Sequence, residues 1–266
     1  MRISVSLGQI NVRFGDPEAN FQQARDDARE AKRRGSALLL FPELFLSGYD
    51  LSNRERYAAP SGEGAFAQLS VLAREHGIAL GGTVLERRKD TYQNTFALFD
   101  AGGNYLALYR KTHLFSPMEE RRFLTAGDAF TLAQTPWGAT GLAICYDLRF
   151  PEMMRRYALL GAQLILLPAQ WPRKRIDHWQ TLLRSRAIEN QVFVAGCNCA
   201  GESGRETFGG RSAIIDPWGR VVAEGGDTPE LLTAEIDLDL VKTVRRDFPV
   251  LGDRREDLYQ AGGESC

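Results

Sequence analysis

Residues 141–152 read GLAICYDLRFPE. Gly141 to Cys145 is an apolar run. Tyr146, Asp147 and Arg149 follow at once, and Pro151 comes after them. A short apolar run that closes on a turn reads as a buried strand. A proline just beyond opens a helix, because the first helical N–H needs no partner. Strand, turn and helix together make the repeating unit of an α/β fold.

The same alternation continues in both directions. Strands are expected in RISVSLGQI (2–10), ALLLF (37–41), IALGGTVL (78–85), NTFALFD (94–100) and YLALYR (105–110). After GLAIC they continue with QLILLP (163–168), VFVAGCN (192–198), RSAIID (211–216) and LLTAEID (231–237). ALLLF and QLILLP are apolar at nearly every position, as strands covered on both faces are. Helices lie between. Asp16-Pro17 supplies an N-cap and a proline at the first helical position, and Gly35 closes that helix. A second runs from about Gly64 to His76 and stops at Gly77, and a third opens at Pro151. In a fourth, Ile176, Trp179, Leu183 and Ala187 fall on one face. DAGGN, DPWGR and the longer GESGRETFGG read as turns of hairpin type. No linker, low-complexity tract or repeat interrupts the chain. It reads as a single domain, 1–266, with about 255–266 as a loose C-terminal tail.

Composition narrows the function. With 33 basic and 34 acidic residues the net charge is −1, which excludes electrostatic binding of nucleic acid or an anionic membrane. The basic clusters AKRRG (31–35) and PRKRID (172–177) read as solvated faces. No membrane span or signal peptide is expected. The four cysteines, at 145, 197, 199 and 266, do not form a secreted disulfide framework, so the compartment reads as reducing and cytoplasmic. Cys197 and Cys199 share one strand face and are read as packing residues, and no zinc-like ligand spacing exists. No metal and no cofactor is expected.

Chemistry concentrates where apolar strands end. ALLLFPE leads to Glu43, YLALYRK to Lys111, and GLAIC to Cys145. Buried charge is costly unless paired, and these three pair usefully. An ammonium lowers a thiol pKa and stabilises an oxyanion, while a carboxylate accepts and returns a proton. His113 is the rival base; His76 and His178 read as surface or packing residues. No nucleophilic-serine elbow, phosphate-binding loop, dinucleotide fingerprint or zinc-protease helix is present.

At these residues the sequence resembles the nitrilase superfamily of carbon–nitrogen hydrolases. LLLFPELFLSGY (38–49), YRKTHLF (109–115) and CYDLRFPE (145–152) are similar to its three catalytic motifs, in its order. The resemblance implies an α-β-β-α sandwich of two stacked mixed sheets. It makes Cys145 the nucleophile, Glu43 the base and acid, and Lys111 the oxyanion donor, with the N–H of Tyr146 completing the oxyanion site. An accessory glutamate is implied in SPMEERRFLTAGD (116–128), where spacing from Gly127 favours Glu120 over Glu119. AQWPRKRIDHWQTLLRSRAIENQVFVAGCN (169–198) resembles the omega-amidase group, which implies a small-molecule amide substrate carrying a carboxylate. Arg149 is the candidate cation, or else an ion-pair partner of Asp147 or Glu152. Trp171 is a pocket wall or core. The alternatives are an N-carbamoyl amine or deaminated peptide-thiol amidase, or a binding protein on the same scaffold. Family members commonly form homodimers.

Overall fold

The computed structural model describes residues 1–259. The first half of the chain runs β1 (Arg2–Gln9), α1 (Pro17–Arg33), β2 (Leu38–Leu40), the short α2 (Arg54–Tyr57) and α3 (Gly64–His76). It continues through β3 (Ala79–Arg88), β4 (Thr91–Phe99), β5 (Tyr105–Arg110) and the single turn α4 (Glu120–Phe123). The second half holds β6 (Leu132–Thr135), β7 (Gly138–Leu142), α5 (Pro151–Leu159), β8 (Leu164–Ala169), α6 (Ile176–Asn190) and β9 (Phe193–Asn198). Then come β10 (Ala200–Ser203), β11 (Glu206–Gly209), β12 (Ala213–Ile215), β13 (Val221–Glu224), β14 (Glu230–Asp237), α7 (Asp239–Asp247) and α8 (Glu256–Tyr259).

Two six-stranded sheets result, ordered β14-β1-β2-β3-β4-β5 and β13-β12-β9-β8-β7-β6, with β10 and β11 as a separate ribbon. In the first, β1, β2 and β3 are parallel and their neighbours antiparallel. In the second, β7, β8 and β9 are parallel, again with antiparallel flanks. The sequence reads without a repeat, yet each half builds three parallel strands through helical crossovers and then turns back antiparallel. This is the mixed double-sheet α/β sandwich.

Local chemistry accounts for the elements. The Asp16 side chain accepts the Ala19 N–H at 3.1 Å and caps α1. Gly77, at φ 56°, ends α3 in the left-handed conformation that glycine adopts at little cost. Leu38 and Leu40 face the core between the sheets, while Leu39 packs with Ala24, Ala28 and Leu72 of α1 and α3. That double burial is why ALLLF is apolar throughout. Trp179, Leu183 and Ala187 of α6 are buried on one face. The expected strands form, and β6, β10, β11 and β13 are additional; each has four residues, too few for a period-two pattern to register. Of the stretch read as a loose tail, Glu256–Tyr259 is a helical turn; residues 260–266, with Cys266, lie outside the described residues.

Two expectations need correction. The strand carrying GLAIC stops at Leu142, and Cys145 instead begins a 3₁₀ turn, Cys145–Arg149. Cys197 and Cys199 do not share a face: β9 ends between them. Cys197 donates to the Leu40 carbonyl at 3.2 Å between the sheets, and Cys199 packs with Ile10 and Phe208 in the other core.

Candidate active site

The loops that leave β2, β5 and β7 converge. Lys111 Nζ lies 2.7 Å from Glu43 Oε1 and 2.7 Å from Glu120 Oε1, with all three side chains fully buried. Glu43 also accepts Asn94 Nδ2 at 2.8 Å and the Gln170 N–H at 3.1 Å, while Gln170 Nε2 donates to the Glu43 carbonyl at 2.7 Å. Glu43 follows the second of the three parallel strands of one sheet, and Gln170 follows the second of the three parallel strands of the other. The doubled topology therefore brings equivalent loops face to face. Glu120 is held by Tyr49 Oη at 2.8 Å and by the Phe115 N–H at 2.5 Å. Glu119 is exposed and pairs with Arg122 at 3.0 Å.

Cys145 has φ 44°, and Leu44, next to Glu43, has φ 43°. Such left-handed non-glycine residues cost on the order of 1–3 kcal/mol and concentrate at functional sites. The turn at Cys145 is fastened by Asp147, which sequence reasoning treated only as a partner for Arg149. Its carboxylate accepts the Ile144 N–H at 2.8 Å, Tyr109 Oη at 2.8 Å and the His113 N–H at 3.2 Å, and it pairs with His113 Nδ1 at 2.7 Å. Asp147 thus ties the Cys145 turn to the segment carrying Lys111. His113 stacks on Phe150 at 3.7 Å. Its link is to Asp147 rather than to the thiol.

Electrostatics corrects the expectation that the ammonium lowers the thiol pKa overall. Burial pushes the Cys145 thiol well above its ordinary value; Glu43 pushes it further, and the Lys111 ammonium opposes both only in part. Cys145 is 5% exposed, and its burial favours the neutral thiol over the thiolate. Burial alone favours a neutral amine at Lys111, but Glu120 and Glu43 outweigh it and raise its pKa, so the ammonium persists. Burial also raises the Glu120 carboxyl, against the pull of Lys111.

A small cleft opens over the thiol, lined by Cys145, Tyr146, Arg149, Trp171, Phe115 and Arg175 among others. Trp171 is both core and wall: it is buried, packs on Trp179 at 5.5 Å, and lies beneath the Arg149 guanidinium at 4.7 Å. Arg149 forms no ion pair with Asp147 or Glu152 among the described residues; its other neighbour is His178 Nδ1 at 3.3 Å. Tyr146 is half-buried, its ring 4.9 Å from that of Phe115. Arg175, assigned by sequence to a solvated cluster, is half-buried at the cleft. No group of three or more His, Cys, Asp or Glu side chains arranged for a metal occurs among the described residues, and no helix there is long and apolar enough to cross a membrane.

A buried thiol near a carboxylate bonded to an ammonium, with a second carboxylate on the same ammonium, is a grouping able to attack a carbonyl carbon and to move a proton. The family profile named carbon–nitrogen hydrolase matches residues 4–246, and the chain belongs to that family. It is 40% identical over 260 residues to the 2-oxoglutaramate amidase of Bacillus subtilis, covering 97% of this chain and all of that one. It is 35% identical to the omega-amidase NIT2 of Homo sapiens, covering 90% of this chain and 91% of that one. Among solved structures, Saccharomyces cerevisiae Nit3, a member of branch 10 of the nitrilase superfamily, superimposes with a TM-score of 0.88 at 32% identity, covering 96% of this chain and 97% of its own. A mutant of the amidase from Nesterenkonia sp. AN1, with acrylamide added at its active-site cysteine, superimposes with a TM-score of 0.85 at 31% identity, covering 97% of this chain and 98% of its own. The protein is an amidase of the nitrilase superfamily, acting on carbon–nitrogen bonds of non-peptide amides.

Proposed function

We propose that this enzyme is an omega-amidase, hydrolysing the terminal amide of a 2-oxo dicarboxylic acid monoamide such as 2-oxoglutaramate or 2-oxosuccinamate. The observation that carries the reading is Arg149, a guanidinium without an acidic partner among the described residues, in the same cleft as Cys145. A carboxylate at the far end of a short amide fits that cation. The likeness to the 2-oxoglutaramate amidase supports the same choice.

In this reading Cys145 Sγ attacks the amide carbon as its proton passes to Glu43. Lys111 and the N–H of Tyr146 stabilise the oxyanion, and Glu120 holds Lys111 in place. Glu43 returns the proton to the nitrogen, ammonia leaves, and a thioester remains. Water then attacks the thioester, Glu43 takes its proton, and the acid departs as the thiol is restored. Gln170 Oε1, buried without a hydrogen-bond partner among the described residues, is an acceptor for a substrate amide N–H. The enzyme is taken to be cytoplasmic and homodimeric. Exposed Leu160 and Ile188 on the outer helical layer support the second point, and a monomer mass in sedimentation would remove it.

The test is ammonia release. 2-Oxoglutaramate should be hydrolysed far faster than aliphatic amides or nitriles, and Cys145→Ala should release none. A preference for nitriles or N-carbamoyl amines would overturn the reading.

A further inference from the structure

Three consecutive cations precede α6, and they differ in what they meet. Arg173 reaches Asp227 at 3.7 Å and Lys174 reaches Glu206 at 3.0 Å. Arg175 has no carboxylate partner among the described residues. Its guanidinium lies over the Phe115 ring, 5.3 Å from the centroid, and it lines the cleft that holds Cys145 and Arg149. Its main chain is anchored, since its carbonyl accepts Trp171 Nε1 at 2.7 Å. Arg149 is held across the same Trp171 ring.

Two guanidiniums therefore face one small cleft, each on an aromatic platform and neither neutralised. The carboxylates of Glu43 and Glu120 are already engaged by Lys111, and that of Asp147 by His113, Tyr109 and the turn. Burial lowers the Arg149 pKa, and the Arg175 charge lowers it further. Unneutralised like charges brought to one cleft are relieved by an anion bound between them.

We propose that Arg175 is a specificity residue that, together with Arg149, receives the carboxylate and the adjacent 2-oxo oxygen of the substrate and excludes an ammonium from that position. The inference rests on the omega-amidase reading and narrows it. An ω-amide of a 2-oxo acid presents two acceptors side by side, which guanidinium N–H groups can both meet. The matching 2-amino acid, glutamine or asparagine, puts an ammonium where two guanidiniums converge, and like charges placed together suppress the wrong partner.

The experiment compares kcat/KM for 2-oxoglutaramate, L-glutamine and pentanamide in the wild type, Arg175→Gln and Arg175→Lys. The wild type should favour 2-oxoglutaramate over L-glutamine by at least about 100-fold. Arg175→Gln should lose at least about tenfold more on 2-oxoglutaramate than on pentanamide and should narrow the margin over glutamine, while Arg175→Lys recovers part of the loss. Equal losses on acid and neutral amides would overturn the proposal. A second arm measures glutarate binding to the Cys145→Ala protein by calorimetry. Adding Arg175→Gln should weaken it about tenfold or more, and unchanged affinity would overturn the anion site whatever the turnover data show. If the wild type ignores 2-oxoglutaramate while glutarate binding still depends on Arg175, the substrate reading falls and the anion site stands.

Discussion

At the scale of single residues, the resting state of Cys145 governs what can be measured. A free thiol ionises near pH 8.5, but the Cys145 thiol is held higher by burial and by Glu43. Its inactivation by iodoacetamide should therefore lack a midpoint near pH 8.5, and inactivation rates across pH 6–10 (about the range ordinary thiols span) check this. The linked stability has the corresponding sign: a thiol pKa raised by folding contributes stability that is fully present below the unfolded value and lost as pH rises through the folded one. Cys197 and Cys199, buried and likewise shifted upward by burial, should stay unlabelled in the native protein. In the proposed mechanism Lys111 has a double role. Lys111→Met should lower kcat by about 100- to 1,000-fold with KM much less affected, as for a lost oxyanion donor. It should also cost about 3–5 kcal/mol of stability, because two buried carboxylates lose their cation. Kinetics together with urea unfolding separate the effects, and a pure KM effect would make Lys111 a substrate anchor instead.

At the scale of elements, catalytic geometry depends on the turn between β7 and α5 keeping its position against the exit of β5. Asp147 joins them through four donors on residues 109, 113 and 144. Asp147→Asn retains the shape but turns one acceptor into a donor, leaving a buried N–H or hydroxyl without a partner. The expected result is a loss of about 1–3 kcal/mol, with kcat falling at least tenfold (about 1.4 kcal/mol) and KM changing less. Denaturant titration and steady-state kinetics measure both. An unchanged kcat would make the clamp purely structural. The packing beneath is equally close: a Cβ at Gly196 of β9 would come within 2.7 Å of Leu183 of α6, which is why that strand carries a glycine where the helix crosses it.

At the scale of the whole molecule, two sheets stacked with their loops meeting at one edge give the site its buried ammonium. Lys111 sits where a divalent cation would need to sit, between Glu43 and Glu120. Activity should therefore survive exhaustive chelation and fail after thiol alkylation. Loss on chelation that zinc restores would contradict this, and ammonia release measured before and after metal removal decides it.

Most of the strand and helix order, the caps at Asp16 and Gly77, and the exits at Glu43 and Lys111 were legible in the sequence, while Cys145 sits three residues past the end of its strand. Each is a local signal: an apolar run, a turn residue, or an ionisable group where apolar character stops. Other features were not, because they depend on partners distant in the chain. Glu119 and Glu120 are adjacent, and a left-handed residue at 119 (φ 56°) leaves one in solvent and the other on Lys111. Arg175 resembles Arg173 and Lys174 in sequence, and only the acids near those two distinguish it. Asp147 gains its meaning from Tyr109 and His113, more than thirty residues away. Periodicity records which face of an element is buried, but the charge state of a buried group is set through space by what the stacked sheets bring beside it. The sequence by itself therefore determined the framework and the candidate reactive groups, and only the tertiary structure decided that burial holds the thiol pKa up, that two carboxylates keep the ammonium charged, and that two arginines at the cleft lack a carboxylate partner among the described residues.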